Sequence, residues 1–237
     1  MALAGKRVLV TGAGKGIGRA IVQRLLADAA RVVALTRTAA DLHGLQVEAI
    51  EADLADTDAA LAQVQQHLPL DLLVNNAGIT ALEPFLSTSA ETFARIMTVN
   101  TVAAFRLMQL FGAHRIAQGG GGAIVNVSSN AAYLGLPDHA AYCASKAALD
   151  ALTRVAAVEL GPHGIRVNSI NPSVTLTPMG EMAWSDPAKS GPVLARIPLG
   201  RFLEPEEVAE AACWLLDEAA SGITGTCLNV DHGFRAR

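Results

Sequence analysis

The chain has 237 residues, of which 51% are hydrophobic and 17% charged. A chain of that length can build a full core without disulfide or metal staples, and with no long polar tract it is excluded from the intrinsically disordered class. The formal net charge is −4 with the basic residues scattered, which excludes a dedicated nucleic-acid surface.

From the N-terminus, short β-branched runs alternate with longer amphipathic stretches. The first strand is predicted over 7–11 and the first helix over 16–28. Strands over 31–35 and 47–52 follow, then a helix over 57–67, with Asp56 or Thr57 placed to cap it. A strand over 70–74 leads to a long helix over 90–118 that opens after Ser89. The second half reads as strand 123–128, helix 140–160, strand 165–170, helix 205–217 and strand 226–230. Pro205 followed by Glu206 and Glu207 suits a first helical turn, because proline lacks the amide that is unpaired there and acids favour the positive end of the helix.

Most of these strands are nearly continuous apolar runs, as expected of strands covered on both faces. The alternation predicts an α/β fold: a Rossmann-type, doubly wound parallel sheet of about seven strands with helices on both faces. No repeat or linker divides the chain, so residues 1–237 read as one dinucleotide-binding catalytic domain. The glycines at 119–122 read as a loop. The segment 172–200 contains five prolines and no clean strand, and a long irregular segment in such a domain is commonly a substrate lid.

Thr11-Gly12-Ala13-Gly14-Lys15-Gly16-Ile17-Gly18 follows the first strand and opens a helix. Gly12, Lys15, Gly16, Ile17 and Gly18 are therefore candidates for a pyrophosphate cradle, where backbone amides approach closely and the helix N-terminus favours an anion. No lysine followed by Ser or Thr closes the turn, which argues against a nucleoside triphosphatase. After the second strand, an NAD site usually carries an acid for the ribose hydroxyls. Here Arg37 and Thr38 occupy that region. A guanidinium can grip a 2′-phosphate that a carboxylate would repel, and Lys15 could reach the same group, so the cofactor is read as NADP(H). Asp53 and Leu54 follow the third strand, where an adenine edge could be read. Asn75, Ala77 and Gly78 follow the fourth, where small residues let a ribose lie close to the backbone.

Tyr142 and Lys146 stand four apart at the start of a helix, and so share one face. A free tyrosine titrates near 10. A neighbouring ammonium and an oxidised nicotinamide are expected to lower that value and make Tyr142 a usable general acid and base. Ser129 lies at a strand's C-terminal end, which faces the ligand crevice in such sheets. Asn100 is an awkward residue for a helix interior, and its setting in Ile96-Met97-Thr98-Val99-Asn100 suggests a buried or site-lining position. The six histidines show no metal-ligand cluster, and no Gly-x-Ser-x-Gly elbow marks a hydrolase.

The glycine turn, Asn75 to Gly78, Asn100, Ser129, Tyr142 with Lys146, and Asn171-Pro172 together resemble the classical short-chain dehydrogenase/reductase family over essentially the whole chain. The resemblance implies that Asn100, Ser129, Tyr142 and Lys146 form a catalytic tetrad, with the asparagine holding a water of the proton relay. It places Pro172 to Thr177 along the nicotinamide, with Val174 and Thr175 near the carboxamide. Within the family, Leu160 to Asn168, and Trp184-Ser185-Asp186-Pro187 followed by Arg196 to Gly200, are similar to the dicarbonyl/L-xylulose reductase group. That likeness implies NADPH-dependent reduction of α-dicarbonyls and ketopentoses, and a homotetramer with the two long helices as dimer faces. The chain departs from that group at Asn130, Ala131 and Ala132 and at Asp231-His232-Gly233.

Asn130, His139 and Trp184 join Ser129 and Tyr142 as candidate substrate contacts. His139 could bond a substrate hydroxyl or be a surface loop residue; Trp184 could cap the substrate or pack the lid. The expected activity is reduction of a small polar ketone such as L-xylulose or diacetyl. The rivals are a polyol or sugar dehydrogenase, a 3-oxoacyl thioester reductase, and a dinucleotide sensor without turnover. Three widely spaced cysteines and the absence of a signal-peptide pattern or a run of about 18 uninterrupted apolar residues lead to an expectation of a cytoplasmic protein that binds neither membrane nor nucleic acid.

Overall fold

Seven runs rich in valine, leucine, isoleucine and alanine form strands: β1 (Arg7–Thr11), β2 (Arg31–Thr36), β3 (Glu48–Glu51), β4 (Leu72–Asn75), β5 (Gly122–Val127), β6 (Ile165–Pro172) and β7 (Cys227–Val230). The computed structural model describes residues 3–236, with the backbone alone for Met179 and Ala183; residues 1, 2 and 237 lie outside the described residues. All seven strands pair in parallel, in the order β3-β2-β1-β4-β5-β6-β7. The chain winds outward from β1 to β3, then returns to place β4 on the other side of β1. That reversal opens a crevice at the C-terminal ends of β1 and β4, where doubly wound folds hold their ligands.

Parallel neighbours need crossovers, and helices supply them. They are α1 (Gly16–Ala27), α2 (Thr57–Gln65), α3 (Ala90–Met97), α4 (Ala103–Ala117), α5 (Ala140–Leu160), α6 (Pro178–Trp184), α7 (Pro187–Leu194) and α8 (Pro205–Leu216). Strand alternation sends Val8 and Val10 to one face, where they pack with Ile21 and Leu25 of α1 and Val208 and Ala212 of α8. Leu9 faces the opposite layer, built from Leu107 and Phe111 of α4 together with Leu73, Ile124 and Val167. Arg166 on β6 donates to the carbonyls of Leu215 (2.7 Å), Leu216 (3.1 Å) and Asp217 (2.9 Å), closing the C-terminus of α8 with a cation.

The helix expected over 90–118 is present but not uniform. Between α3 and α4 the backbone widens into a π turn at Thr98–Val102, closed by the Ala103 amide on the Thr98 carbonyl. By length and composition alone, the 28 residues of Ala90–Ala117 would reach across a bilayer; 56% of their most apolar window is buried inside the protein.

The segment 172–200 is more regular than its prolines suggest. Pro178 and Pro187 each open a short helix, α6 and α7. Thr177 caps α6 by accepting from the Gly180 amide at 3.1 Å, and Asp186 caps α7 by accepting from Ala188 at 2.9 Å. This segment shares a small apolar cluster of its own, formed by Ile197, Phe202 and Phe234 with Val174, Leu176, Trp184, Val193 and Leu194 around them.

Phe111 lies at the centre of the layer under β4 and β5. Phe111→Ala is expected to cost about 3–5 kcal/mol, read as a lower denaturant midpoint with an unchanged slope.

Candidate active site

The crevice begins at a stitched turn. The Thr11 hydroxyl accepts from the amides of Asn76 and Ala77, each at 3.0 Å, and the Asn76 side chain donates to the carbonyls of Thr11 (2.9 Å) and Gly12 (3.1 Å). These bonds bind the loop after β1 to the loop after β4. No side chain caps the N-terminus of α1, which leaves its first amides available to an anion. A Cβ on Gly18 would sit 2.2 Å from the Gly12 carbonyl oxygen, and one on Gly16, at φ +51°, would sit 2.8 Å from Thr177 Cγ2. The turn therefore tolerates only glycine at position 18, and it touches the start of the proline-rich segment.

A cleft of about 620 Å³ runs along this turn, within the usual range for a small-ligand site. Gly12, Lys15, Gly16, Ile17, Gly18, Arg37, Thr38, Asp53, Leu54, Ala77, Gly78 and Thr177 all line it. Asn75 does not. Its amide turns into the sheet and donates to Asn126 Oδ1 at 2.9 Å, while Asn76 takes the place on the cleft wall. Asp41 and Arg95 also line the cleft, and neither had a motif to mark it in the sequence.

Charge distinguishes the ribose end of the cleft. Among the described residues, no hydrogen bond or ion pair occupies the Arg37 guanidinium. Lys15, 74% exposed, meets Asp41 at 3.2 Å. The nearby carboxylates are turned to local amides: Glu51 accepts from Ala39 at 2.7 Å and Asp53 from Ala55 at 2.9 Å. An uncapped helix start, a turn that excludes Cβ atoms and an unpaired guanidinium fit a dinucleotide with a pyrophosphate and a 2′-phosphate.

Beyond Gly78 lie the side chains expected to carry the chemistry. A Cβ on Gly78 would be 3.4 Å from Lys146 Nζ and 3.5 Å from Asn100 Oδ1, so the floor of the cleft abuts both. Asn100 sits in the π turn, a distortion often found at functional positions. Its amide clamps the Ile79 backbone, accepting from the Ile79 amide at 2.8 Å and donating to its carbonyl at 2.9 Å, and it donates to Ser145 Oγ at 3.0 Å. The Thr101 hydroxyl donates to the Ser145 carbonyl at 3.0 Å, fixing the turn to α5.

Lys146 is 3% exposed and donates to the Val127 carbonyl at 2.8 Å. Burial lowers its pKa to about 8, opposed by the charge of Asp150. The ammonium lies 5.6 Å from the Tyr142 ring centroid. Tyr142 itself titrates above the usual tyrosine range. Burial raises it, and the hydrogen bond from Ser129 only partly opposes that rise. The expected lowering is therefore not what the protein alone produces, because desolvation of the phenolate is the largest effect.

β5 ends at Val127, and the two serines after it diverge. The Ser128 hydroxyl donates to the Lys146 carbonyl at 3.3 Å and lies buried against α5. Ser129 caps a short 3₁₀ turn, Asn130–Ala132, by accepting from the Ala131 amide at 3.1 Å, and its hydroxyl meets Asn130 Oδ1 at 3.4 Å. His139 precedes α5, with its ring 6.2 Å from that of Tyr142 and its Nδ1 2.6 Å from the Pro137 carbonyl. Trp184 packs on Phe202 with ring centroids 5.7 Å apart, inside the small apolar cluster of the proline-rich segment. Val174 belongs to the same cluster, Thr175 bridges to Leu203, and Pro172 pairs with Val230. These three sit past the end of the cleft, on the side where β6 hands over to α6. Among the described residues, no group of three His, Cys, Asp or Glu side chains could hold a metal ion.

The enoyl-(acyl carrier protein) reductase family model matches residues 12–235. L-xylulose reductase of Bos taurus is 51% identical, over 99% of this chain and 98% of its own. The chain belongs to the short-chain dehydrogenase/reductase family. D-erythrulose reductase of Gallus gallus is 50% identical, over 97% of this chain and 96% of its own. A candidate NAD(P)-dependent gluconate 5-dehydrogenase of Beutenbergia cavernae, solved with NADP at low occupancy, superposes with a TM-score of 0.93 at 36% identity, over 100% of this chain and 99% of that one. As a short-chain dehydrogenase/reductase the protein is an oxidoreductase, and the doubly wound sheet is the one its relatives share.

Gly18→Ala is expected to weaken dinucleotide binding by at least ~10-fold, about 1.4 kcal/mol, since the new Cβ meets backbone. Gly135→Ala, where a Cβ meets nothing within 4 Å, is expected to bind as the unsubstituted protein does. Fluorescence titration with NADPH reads both.

Proposed function

We propose that this protein reduces a small polar ketone, a ketose or an α-dicarbonyl, to the alcohol with NADPH. The observation that carries the proposal is the juxtaposition of Tyr142, Ser129 and Lys146 just beyond a nucleotide cleft whose ribose end presents an unpaired Arg37. Two relatives at about half identity are named for ketoses, L-xylulose and D-erythrulose, which favours that substrate class.

When bound, NADPH supplies the hydride to the carbonyl carbon. Arg37 would hold its 2′-phosphate, and the turn from Gly12 to Gly18 its pyrophosphate. Tyr142 donates its proton to the carbonyl oxygen, and its raised pKa keeps that proton available at neutral pH. The Ser129 hydroxyl stabilises the charge that develops on the same oxygen. Lys146, protonated below about 8, supplies the positive field that the Tyr142 phenolate needs after transfer. Asn100 keeps Ile79 and Ser145 in place around the lysine. The oxidative reading, a polyol or sugar dehydrogenase, needs a phenolate at rest, which burial of Tyr142 disfavours. A sensor without turnover has no use for the complete set.

The segment 172–200 acts as the lid, with Thr177 against Gly16 at its root. The protein assembles as a homotetramer through α4 and α5, a reading supported by exposed Val102, Phe105, Val155 and Val158 on those helices and the π turn. It works in the cytoplasm, which its unpaired cysteines suit.

Tyr142→Phe is expected to lower kcat for diacetyl or L-xylulose by ~10²–10⁴-fold with NADPH binding retained; full activity in that variant would overturn the mechanism. Arg37→Asp is expected to raise KM for NADPH at least ~10-fold, the loss of a charged phosphate contact, while sparing NADH. The sign of the pH dependence follows from Lys146. Its ammonium is present below about 8 and lost above, so kcat for reduction is expected to be level near neutrality and to fall on the alkaline side.

A further inference from the structure

We propose that Asp150 is a positioning residue for the catalytic set, its buried carboxylate locking Ser129 through Asn171 and supplying the counter-charge to Lys146. The inference rests on the reductase reading above and extends it to a residue that touches neither substrate nor cofactor.

Asp150 lies one helical turn beyond Lys146 on α5 and is 2% exposed. Both carboxylate oxygens are engaged. Oδ1 accepts from the Ser169 hydroxyl at 2.8 Å, and Oδ2 accepts from Asn171 Nδ2 at 2.8 Å. The same Asn171 amide donates to the Ser129 carbonyl at 2.9 Å. Asp150 thus ties α5, which carries Tyr142 and Lys146, to β6 and to the backbone of Ser129. Three of the four reactive side chains are referenced to this one carboxylate.

Its hydrogen-bond donors are neutral, so its charge must be answered at a distance. Lys146 is the cation on its own helix face, four residues away. The groups facing Lys146 from the other elements carry no charge: the Val127 carbonyl from β5, Asn100 from the π turn and Gly78 from the loop after β4, with Tyr142 beside it on α5. On the far side of Asp150, Tyr133 from the loop after β5 feels its charge, with Cys227 of β7 beside that ring. Arg235 stacks on Tyr133 at 3.8 Å while donating to Asn229, and Arg154 points to Cys227. Among the described residues, Asp150 is therefore the carboxylate whose charge reaches Lys146, and it opposes the lowering of Lys146 by burial. Without it the lysine would shed its proton at a lower pH and leave the Tyr142 phenolate unsupported.

Asp150→Asn removes the charge but keeps an acceptor for Asn171 and a donor for Ser169. Asn171→Ala keeps the charge and breaks the link to Ser129. The test is the pH profile of kcat for diacetyl reduction by NADPH. Asp150→Asn is expected to move the alkaline limb at least about one pH unit toward acid, with kcat near pH 6 within about threefold of the unsubstituted enzyme. Asn171→Ala is expected to lower kcat about tenfold or more at every pH with the limb in place. A uniform loss in Asp150→Asn with an unmoved limb would show a merely structural carboxylate and overturn the proposal. So would failure of both Asp150→Asn and Asp150→Ser to fold. If instead the unsubstituted enzyme has no alkaline limb, or Tyr142→Phe stays active, it is the reductase mechanism that fails.

Discussion

Taking a lysine ammonium out of water is unfavourable unless the interior supplies donors' partners and opposing charge. Lys146 is buried nearly completely, and much of the molecule's polar interior is arranged about that fact. The Val127 carbonyl accepts from it at the end of β5, Asp150 stands one turn along the helix, and Asn100 and Gly78 close the remaining side. The π turn belongs to the same arrangement, because it carries Asn100, which bonds Ile79 and Ser145 together. Asn100 and Asp150 are buried and polar, and each is hydrogen-bonded to another element, Asn100 to Ile79 and α5 and Asp150 to β6. Sheet, π turn and α5 are thereby held in one register, so that the tyrosine is presented at a fixed place.

The fold was legible because its signals are local or periodic. Buried parallel strands leave continuous apolar runs, and all seven appeared within a few residues of their expected bounds. The glycine turn was legible for a related reason: a Cβ at Gly18 has no room, so the residue type itself records the geometry. Tyr142 and Lys146 were visible through helical spacing, and Arg37 through the lack of an acid after β2.

What escaped the sequence depends on contacts between distant residues. Nothing in Asn75-Asn76 says which amide enters the sheet; that follows from the partner Asn126, reached only when β4 pairs with β5. Trp184 reads as a substrate contact with lid packing as the rival, and its contact with Phe202, 18 residues on, is not visible in the sequence. The prolines of the lid suggested irregular chain, yet two of them sit where a helix begins and proline is welcome. Asp150 gave no warning, since an acid within an amphipathic helix reads as solvent-facing until Ser169 and Asn171 are brought beside it. The shift of Tyr142 reversed direction because desolvation is a property of the assembled site, not of its spacing.

The small apolar cluster of the proline-rich segment stands apart from the rest of the core. Ile197, Phe202 and Phe234 form a core separate from the two that sandwich the sheet, and Trp184, Val193 and Leu194 bring the two short helices into it. Its packing is therefore distinct from the packing of the sheet layers. α6 and α7 are thereby packed against one another and against Phe202 and Phe234, apart from the layers around β1 and β4. A small satellite cluster of this kind opens at a local free energy rather than at that of the whole molecule. A substitution in this cluster is therefore expected to be felt among its own members before it is felt in the layers that sandwich the sheet.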